Sequence, residues 1–420
     1  MRPLDSLRVE ARLTQIPFGQ GSMNLEIEKG RRVEVVSPEA APSDGDAIRR
    51  SIANPIDFEA FDSFVSHRHR LLVVVNDHTR STPTAEVLKE LPLRNNEVTT
   101  IIASGSHRAP DAREIRKIID GEAPPYGGGV VVHNCRDTNS LRRLGRTSRG
   151  TEVYVNSLLF DADGIILVSS VEPHYFGGFT GGRKFLLPAL AGFDSITTNH
   201  CLAADECARV LALEGNPVHE DFMEALNMFG RFTDIFSIQL VLNQKSQVSY
   251  ACSGHVIKSF EKAVEYAKEI YVPKVQGKAD IVISVNEPPL DIDLYQSQKA
   301  LDNVKLAVKQ GGIIILVSSC REGIGDQHFY KLLTPENNGV GSKDANKFGY
   351  HKAVKLSNLM KTASIFTVTN LPLSIPKTIG LTPYHTAQDA LEGATKIKGK
   401  DSDVLVVLNG GMTVPVPRTA

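Results

Sequence analysis

Seven short runs of apolar residues, rich in valine and isoleucine, constrain the fold of this 420-residue chain most strongly. Each run is continuously apolar rather than alternating, which is typical of strands covered on both faces. The stretches between them carry helical spacing. The pattern therefore predicts an α/β fold with largely parallel sheets and helices on both faces. The predicted strands are Leu71–Val75, Thr99–Ala103, Val130–His133, Gly164–Val168, Ala279–Val285, Gly312–Val317 and Val404–Leu408.

The length predicts two domains, because a single core rarely extends over a chain of this size. The best boundary lies near Tyr266–Gly277, where a helical pattern gives way to a polar patch and then to a new strand. We predict an N-terminal α/β domain over residues 1–271 and a C-terminal α/β domain over residues 272–420. We allow the last ~15 residues to pack back on the N-terminal domain.

Composition argues against several classes of protein. A formal net charge of -1 gives no global argument for binding nucleic acid. Residues 1–13 lack the apolar core of a signal peptide, and no run of about 18 apolar residues occurs in the chain. The five cysteines are scattered without a C-x-x-C pair, which disfavours a disulfide framework and a structural zinc site. We expect a soluble, cytoplasmic protein with no membrane or nucleic-acid partner.

The segment Val171–His200, VEPHYFGGFTGGRKFLLPALAGFDSITTNH, carries the most reactive chemistry. His174 offers a proton acceptor, Lys184 an amine nucleophile, and His200 an imidazole able to ligate a metal. Two Gly-Gly pairs leave the backbone bare, so that its N–H groups can approach an anion. Singly, these features have simpler interpretations: a structural histidine, a turn, a solvated basic pair. Their clustering favours a functional site.

Polar motifs follow directly after several predicted strands. DHTR, with Asp77 and Arg80, follows the first, and SGSHR, with His107, follows the second. Ligands of open α/β sheets bind outside the carboxyl ends of the strands, so we expect the loops of both domains to form a site in the interdomain cleft. Arg80 is suited to a carboxylate or phosphate. A local Asp77–Arg80 ion pair and a structural His107 are the simpler alternatives.

In the second domain, Tyr295, Gln296 and Lys299 stand at the start of a predicted helix. The helix dipole favours cations at the opposite end, so Lys299 in a first turn indicates a bound anion. A surface lysine with a snorkelling stem is the alternative. The chain has no H-E-x-x-H, G-x-S-x-G or P-loop motif, and no G-x-G-x-x-G follows the first strand, which disfavours an ordinary NAD-dependent dehydrogenase.

Four motifs in this order resemble the nickel-dependent lactate racemase family: DHTRSTP, SGSHR, EPHYFGGFTGGRKFLLPALAGFDSITTNH and YQSQK. The resemblance spans residues 76–299. It implies a racemase or epimerase that interconverts the two configurations at C2 of a 2-hydroxy acid by moving hydride to and from a cofactor. The implied cofactor is the nickel-pincer nucleotide, nickel(II) pyridinium-3,5-bisthiocarboxylate mononucleotide. Its cofactor-building enzymes would be transient partners.

The same resemblance implies a role for each matching residue. Lys184 would hold the cofactor covalently, His200 would ligate the nickel, and His107 and His174 would be the acid–base residues on opposite faces of the substrate. The remaining implied contacts are to the cofactor by Asp77, His78, Thr79, Arg80 and Tyr295, and to the substrate by Arg80, Gln296 and Lys299.

The chain contains no tryptophan, whereas the prototype of that family has an indole lining the substrate pocket. We therefore expect a larger or more polar 2-hydroxy acid, such as malate, to be preferred to lactate. Gly349–Lys361, which includes Tyr350, is the segment expected to replace the indole. Two other classes stay open. One is a metal-dependent hydrolase or transferase using Asp77 and the histidines 107, 174 and 200. The other is a non-catalytic nucleotide-binding paralogue.

Overall fold

The computed structural model describes residues 15–27, 31–93, 96–337 and 349–418. The segment 1–13 that carried the signal-peptide argument lies outside these ranges. Contacts divide the chain into two units. The first unit is Glu39–Ile270, and the second unit combines the residues up to Pro38 with those from Tyr271 onward.

The strands are, in chain order, β1 (Gln15–Phe18), β2 (Gly21–Asn24), β3 (Val33–Val36), β4 (Arg70–Asn76), β5 (Glu97–Ala103), β6 (Gly129–Val132), β7 (Leu141–Arg146), β8 (Glu152–Asn156), β9 (Gly164–Ser170), β10 (Pro173–His174), β11 (Gly178–Phe179), β12 (Asp234–Leu242), β13 (Val248–His255), β14 (Lys274–Val275), β15 (Ala279–Val285), β16 (Val308–Val317), β17 (Ala363–Val368), β18 (Thr382–Tyr384), β19 (Val404–Val407) and β20 (Val416–Pro417).

The α-helices are α1 (Ala47–Ala53), α2 (Phe61–Ser66), α3 (Thr84–Lys89), α4 (Ala112–Ile119), α5 (Leu158–Asp161), α6 (Phe193–Cys201), α7 (Pro217–Phe229), α8 (Val256–Tyr271), α9 (Leu294–Val304), α10 (Gln327–Leu333), α11 (Tyr350–Met360), α12 (Ser374–Thr378) and α13 (Ala387–Lys398). Short 3₁₀ helices lie at Thr138–Ser140, Gly182–Phe185, Leu202–Ala204 and Pro335–Asn337.

The first unit contains a six-stranded sheet in the order β13-β12-β9-β4-β5-β6. All neighbours are parallel except the edge pair β12 and β13. Successive side chains of β4 point to opposite faces. Leu72 and Val74 pack in one apolar cluster with α6 and α7, while Val73 and Val75 pack in another with α1, α2 and α3. Both faces are therefore buried, as the continuous apolar runs predict.

The second unit contains a six-stranded sheet in the order β18-β17-β16-β15-β19-β3, parallel throughout. Together the two sheets contain all seven predicted strands, as β4, β5, β6, β9, β15, β16 and β19. The predicted α/β class with largely parallel sheets is confirmed.

The N-terminal segment differs from the predicted division. Val33 and Val35 of β3 pair with Val404 and Val406 of β19, so residues up to Pro38 belong with the second unit rather than with residues 39–271. The pairing of β20 with β14 likewise keeps the tail of the chain, at Val416, within the second unit. A strand of four residues at the N-terminus carries no sequence signal for which sheet it joins, because its partner is distant along the chain.

The five cysteines, all among the described residues, are free. Within the described ranges, no helix has the length and apolarity needed to cross a bilayer.

Candidate active site

The predicted motifs of the first unit lie at one edge of its sheet. The loops after β4, β5 and β9 carry Asp77, His107 and His174 in turn. Because β4 pairs in parallel with both β5 and β9, these three loops leave the sheet at the carboxyl ends of neighbouring strands. The topology thus brings the motifs together where α/β folds bind ligands.

Asp77 and His107 form an acid–imidazole pair in which the carboxylate is buried and the imidazole is 42% exposed. Asp77 Oδ2 lies 2.8 Å from His107 Nδ1, and Asp77 Oδ1 accepts from the Thr79 hydroxyl at 2.7 Å and from the Thr79 N–H at 3.2 Å. A carboxylate only accepts hydrogen bonds, so Nδ1 of His107 is the donor. The neutral ring therefore has its lone pair at Nε2, the atom available to take a proton.

Electrostatics keep the Asp77 carboxyl ionised. Burial favours a raised pKa at this residue, which is only 4% exposed. The hydrogen bond and charge of His107, the Thr79 hydroxyl and the charge of Arg80 outweigh burial, so the pKa of Asp77 lies below its usual value. An ionised Asp77 both fixes the His107 tautomer and stabilises the imidazolium that forms when His107 accepts a proton.

Arg80 has a partner that the sequence did not indicate. Its Nη1 donates to Glu172 Oε1 at 3.2 Å, and the Arg80 backbone N–H donates to the carbonyl of Asp77 at 3.2 Å. The expected alternative of an Asp77–Arg80 side-chain ion pair is replaced by this Arg80–Glu172 pair. The side chains are 25% and 12% exposed, so the guanidinium remains reachable by a ligand anion.

His174 is held in the opposite tautomer from His107. It lies in the small β10–β11 hairpin, is 8% exposed, and accepts at Nδ1 from the Gly177 backbone N–H at 3.0 Å. Because Nδ1 accepts, the neutral ring carries its proton at Nε2. His107 thus presents an acceptor at Nε2, and His174 presents a donor.

Three of the predicted site residues, His174, His200 and Lys184, lie around the ring of Phe176. Its centroid is 4.5 Å from that of His174, 5.0 Å from that of His200, and 5.8 Å from Lys184 Nζ. Burial, and then the positive charges of Lys184 and His107, lower the pKa of His200 to about 3. A neutral imidazole is the form that binds a metal, so this environment suits the expected role of His200.

Two buried polar atoms near these loops lack a hydrogen-bond partner among the described residues: His78 Nδ1 and Ser104 Oγ. His78 follows Asp77, and Ser104 precedes His107 by three positions. His78 Nε2 lies 3.9 Å from Glu114. Buried polar groups left unsatisfied are costly, and a bound polar ligand would satisfy them.

The described residues contain no group of three or more His, Cys, Asp or Glu side chains placed to hold a metal ion. Asp77 and the three histidines therefore do not form the ligand cluster that a hydrolytic metal site requires. His200 offers one imidazole nitrogen, which suits a metal ion whose other ligand atoms belong to a bound cofactor. The unsatisfied atoms of His78 and Ser104, with the Lys184 amine beside Phe176, fit such a polar group.

In the second unit, Tyr295, Gln296 and Lys299 lie on α9, whose N-cap Asp293 accepts from the Gln296 N–H at 2.6 Å. Lys299 is the sixth helical residue, in the second turn rather than in the first turn that the sequence predicted. The dipole argument for an anion at Lys299 weakens accordingly, because the dipole acts mainly on the first turn.

Sequence reasoning missed Lys352, on α11. It is 1% exposed, its Nζ lies 3.9 Å from the centroid of the Tyr295 ring, and it donates to the Tyr295 carbonyl. Burial, and then the charge of Lys299, hold the pKa of Lys352 well below its usual value. A lysine inside an otherwise amphipathic helix gives no sequence signal of burial, so only the packing of α11 on α9 reveals it.

Comparison with known proteins identifies the chain. Residues 18–210 match the family described as "Lactate racemase N-terminal domain", and residues 274–416 match "Lactate racemase C-terminal domain". The α/β units and these two matches define an isomerase of the racemase class. The chain belongs to the lactate racemase family.

Relatives support this over nearly the whole length. A lactate racemase from Thermoanaerobacterium thermosaccharolyticum is 28% identical over 419 residues, and one from Lactiplantibacillus plantarum is 25% identical over 432 residues; each alignment covers 94% of this chain and 97% of the relative. The apoprotein structure of the lactate racemase from T. thermosaccharolyticum superposes with a TM-score of 0.87 at 27% identity, covering 97% of this chain and 100% of that one. A Thermotoga maritima protein shares the fold, with a TM-score of 0.64 at 19% identity, over 87% of this chain and 99% of that one.

Proposed function

We propose that the enzyme racemises or epimerises a 2-hydroxy carboxylic acid, with His107 and His174 acting on opposite faces of the substrate. The observation that carries the proposal is the pair of opposite tautomers, one set by Asp77 and the other by Gly177. A racemase must handle the hydroxyl proton on either face of C2, and two imidazoles presented differently at Nε2 are suited to this task.

The substrate chemistry explains why a base and a hydride acceptor are both needed. The C2–H of a 2-hydroxy carboxylate is a poor acid because the neighbouring carboxylate is already negative. Loss of hydride from C2 is assisted when the hydroxyl proton leaves with it. In the proposal His107 takes this proton at Nε2, and the Asp77 carboxylate stabilises the resulting imidazolium.

His174 begins as a hydrogen-bond donor, whereas His107 begins as a base. In the tautomer set by Gly177 it donates a hydrogen bond from Nε2 to the substrate oxygen. If Nε2 gives up its proton completely, the ring stays neutral only when Nδ1 already carries a proton of its own. A protonated Nδ1 cannot accept a hydrogen bond from the Gly177 N–H. His174 therefore exchanges protons with substrate only when its bond to Gly177 opens.

The proposed cofactor is the nickel-pincer nucleotide, which accepts and returns hydride when it is bound. Lys184 would hold it covalently and His200 would ligate its nickel, while Asp77, His78, Thr79, Arg80 and Tyr295 would make the remaining contacts. The support from this chain is the neutral state of His200, the position of the Lys184 amine against Phe176, and the unsatisfied nitrogen of His78. The enzymes that build this cofactor are the proposed transient partners.

The substrate is proposed to be a 2-hydroxy acid with a polar side chain, such as malate, in preference to lactate. Arg80, Gln296 and Lys299 would bind its carboxylate. The segment expected to replace the missing indole forms α11, which buries the polar side chains of His351 and Lys352. In the proposal these side chains give the pocket a polar wall, which disfavours the methyl group of lactate and accommodates a polar substituent.

The proposal is tested on protein produced together with the cofactor-building enzymes. Enantiopure lactate, malate and longer 2-hydroxy acids are each incubated with this preparation, and the loss of optical purity is followed by polarimetry. Nickel content and the mass of the Lys184 peptide are measured on the same sample. Racemisation of malate with a higher kcat/KM than lactate is expected. A loaded preparation that racemises none of these acids would refute the assignment, and a preference for lactate would refute only the substrate.

A further inference from the structure

A buried guanidinium lies under the glycine-rich loop between His174 and Lys184. Arg183 is 1% exposed, and its hydrogen bonds within the described part of the chain run to neutral acceptors. Its Nη2 donates to the Gly177 carbonyl at 2.7 Å, its Nη1 to the carbonyls of Thr180 and Gly181 at 3.3 and 3.2 Å, and its Nε to His219 Nδ1 at 3.0 Å. Carbonyl dipoles and an imidazole thus surround the cation.

Burying this guanidinium costs folding free energy that a residue with only a packing role would not cost. Burial lowers the pKa of Arg183 to about 9, and no carboxylate in the described part of the chain offsets that effect. The guanidinium carbon lies 4.2 Å from the centroid of Phe260, and Gly182, with a φ of +50°, leaves no room for a side chain against that ring. A buried cation of this kind costs folding free energy that an apolar residue would not, so a function is expected of it.

Gly177 connects this cation to His174. Its carbonyl accepts from Arg183, and its N–H donates to His174 Nδ1 at 3.0 Å. A side chain at this position would come within 3.2 Å of the same nitrogen, so the backbone approaches the ring as closely as glycine permits. The N–H and the C=O of Gly177 belong to successive peptide groups, so the Arg183 bond to the C=O restrains the turn that places the N–H against the imidazole.

We propose that Arg183 is a positioning residue that fixes the tautomer of His174 through Gly177. By holding the loop carbonyls, the guanidinium keeps the Gly177 N–H on Nδ1 and the His174 proton on Nε2. The functional meaning rests on the proposed role of His174, but the tautomer itself is a property of the protein alone. His219 supports the arrangement: burial and then the charge of Arg183 lower its pKa to about 3, which keeps the ring neutral, and its Nδ1 accepts because the Arg183 Nε–H can only donate.

The test is two-bond ¹H–¹⁵N NMR of protein labelled at histidine and produced without cofactor, with the His174 signals assigned by their loss in His174→Gln. In the wild type, neutral His174 is expected to show the Nε2–H pattern alone. Arg183→Met should give a mixture of the two tautomers. His133 serves as an internal reference, because it donates from Nε2 to the Ala191 carbonyl at 3.0 Å and no hydrogen bond joins it to Arg183 in the described part of the chain.

Milder variants keep the test valid should Arg183→Met fail to fold. Arg183→Lys keeps the charge but cannot reach both the Gly177 carbonyl and His219, so a partial shift of the His174 tautomer is expected. His219→Gln keeps an acceptor for the Arg183 Nε–H and should match the wild type, whereas His219→Leu should resemble Arg183→Lys. A folded Arg183 variant with the wild-type His174 pattern overturns the proposal.

Activity then separates this inference from the proposed function. In loaded enzyme, Arg183→Lys should raise kcat, by up to about 10-fold, with KM little changed, because a looser Gly177 N–H lets His174 exchange its proton with substrate more readily. If the His174 tautomer shifts in the NMR experiment and kcat does not change, the positioning role stands and the assignment of His174 as an acid–base residue fails. If neither changes, the inference itself is refuted.

Discussion

Replacing Asp77 with asparagine tests the proposed base most directly. Both donors of Thr79 point at Oδ1, so the carbonyl of the new amide will occupy that side and its NH₂ group will face His107. Nδ1 of His107 must then accept, and the ring proton moves to Nε2. The atom that should take the substrate proton is thereby blocked.

The size of the effect follows from two contributions. A unit charge pair at about 4 Å is worth about 4 kcal/mol at an effective dielectric constant of about 20, and we halve this to about 2 kcal/mol because His107 is 42% exposed. Restoring the original tautomer against an NH₂ group costs about 1.5–3 kcal/mol of charge-assisted hydrogen bonding. Together these predict a loss of kcat/KM of roughly 10³-fold.

The assay is racemisation by loaded Asp77→Asn enzyme, with nickel content checked in parallel. Asp163→Asn is the matched control, because it makes the same change in a carboxylate that pairs with Arg70 at the start of β4, at the opposite end of that strand from Asp77, and should retain activity within about 10-fold. An Asp77→Asn enzyme whose kcat/KM stays within 10-fold of the wild type would show that the Asp77 carboxylate does not control the His107 tautomer or stabilise its imidazolium.

Three further outcomes are expected. Lys184→Ala should carry no covalent cofactor, so finding the adduct by intact mass in this variant would reject the attachment site. His200→Ala should lose nickel while His174→Gln keeps it and loses racemisation by at least ~10²-fold; the reverse pattern in metal analysis would exchange their roles. Glu114→Gln should lower the free energy of unfolding by about 1 kcal/mol at pH 7, because the carboxylate caps α4 and pairs with Arg108. The pKa of Glu114 is depressed to about 2, so this contribution is present above about pH 4.5 and disappears as the pH falls to about 2, which urea unfolding at several pH values will check.

The strands could be predicted because burial on both faces makes their sequences apolar throughout. The strand β12, one of five strands of the two sheets that the sequence did not indicate, shows the limit of this signal. Its Gln239 is fully buried, and its Oε1 accepts from Ser169 at 2.8 Å and from the Gly182 N–H at 3.0 Å. A polar residue satisfied by distant partners interrupts the apolar pattern, and its partners cannot be read from local sequence.

For the candidate site, too, some residues could be predicted from the sequence and some contacts could not. Asp77, His107, His174 and Lys184 stand in recognisable motifs, so the sequence indicated them. The partner of Arg80 could not be predicted, because Glu172 lies far along the chain and meets it only through the pairing of β4 with β9. Arg183 stands beside Lys184, where a solvated basic pair is the simpler interpretation, and local sequence does not distinguish a solvated arginine from a buried one.

The place of β3 at the edge of the second sheet has a consequence for biosynthesis. Within the described ranges, β3 pairs only with β19, whose Val404 leaves the ribosome after almost the whole chain has been made. At about 5–20 residues per second, the N-terminal strand waits roughly 20–75 s for its partner, while residues 39–270 are already free to fold. Over that interval an unpaired strand is a template for pairing with other nascent chains, so a chaperone that shields the emerging N-terminus would raise the yield of native protein.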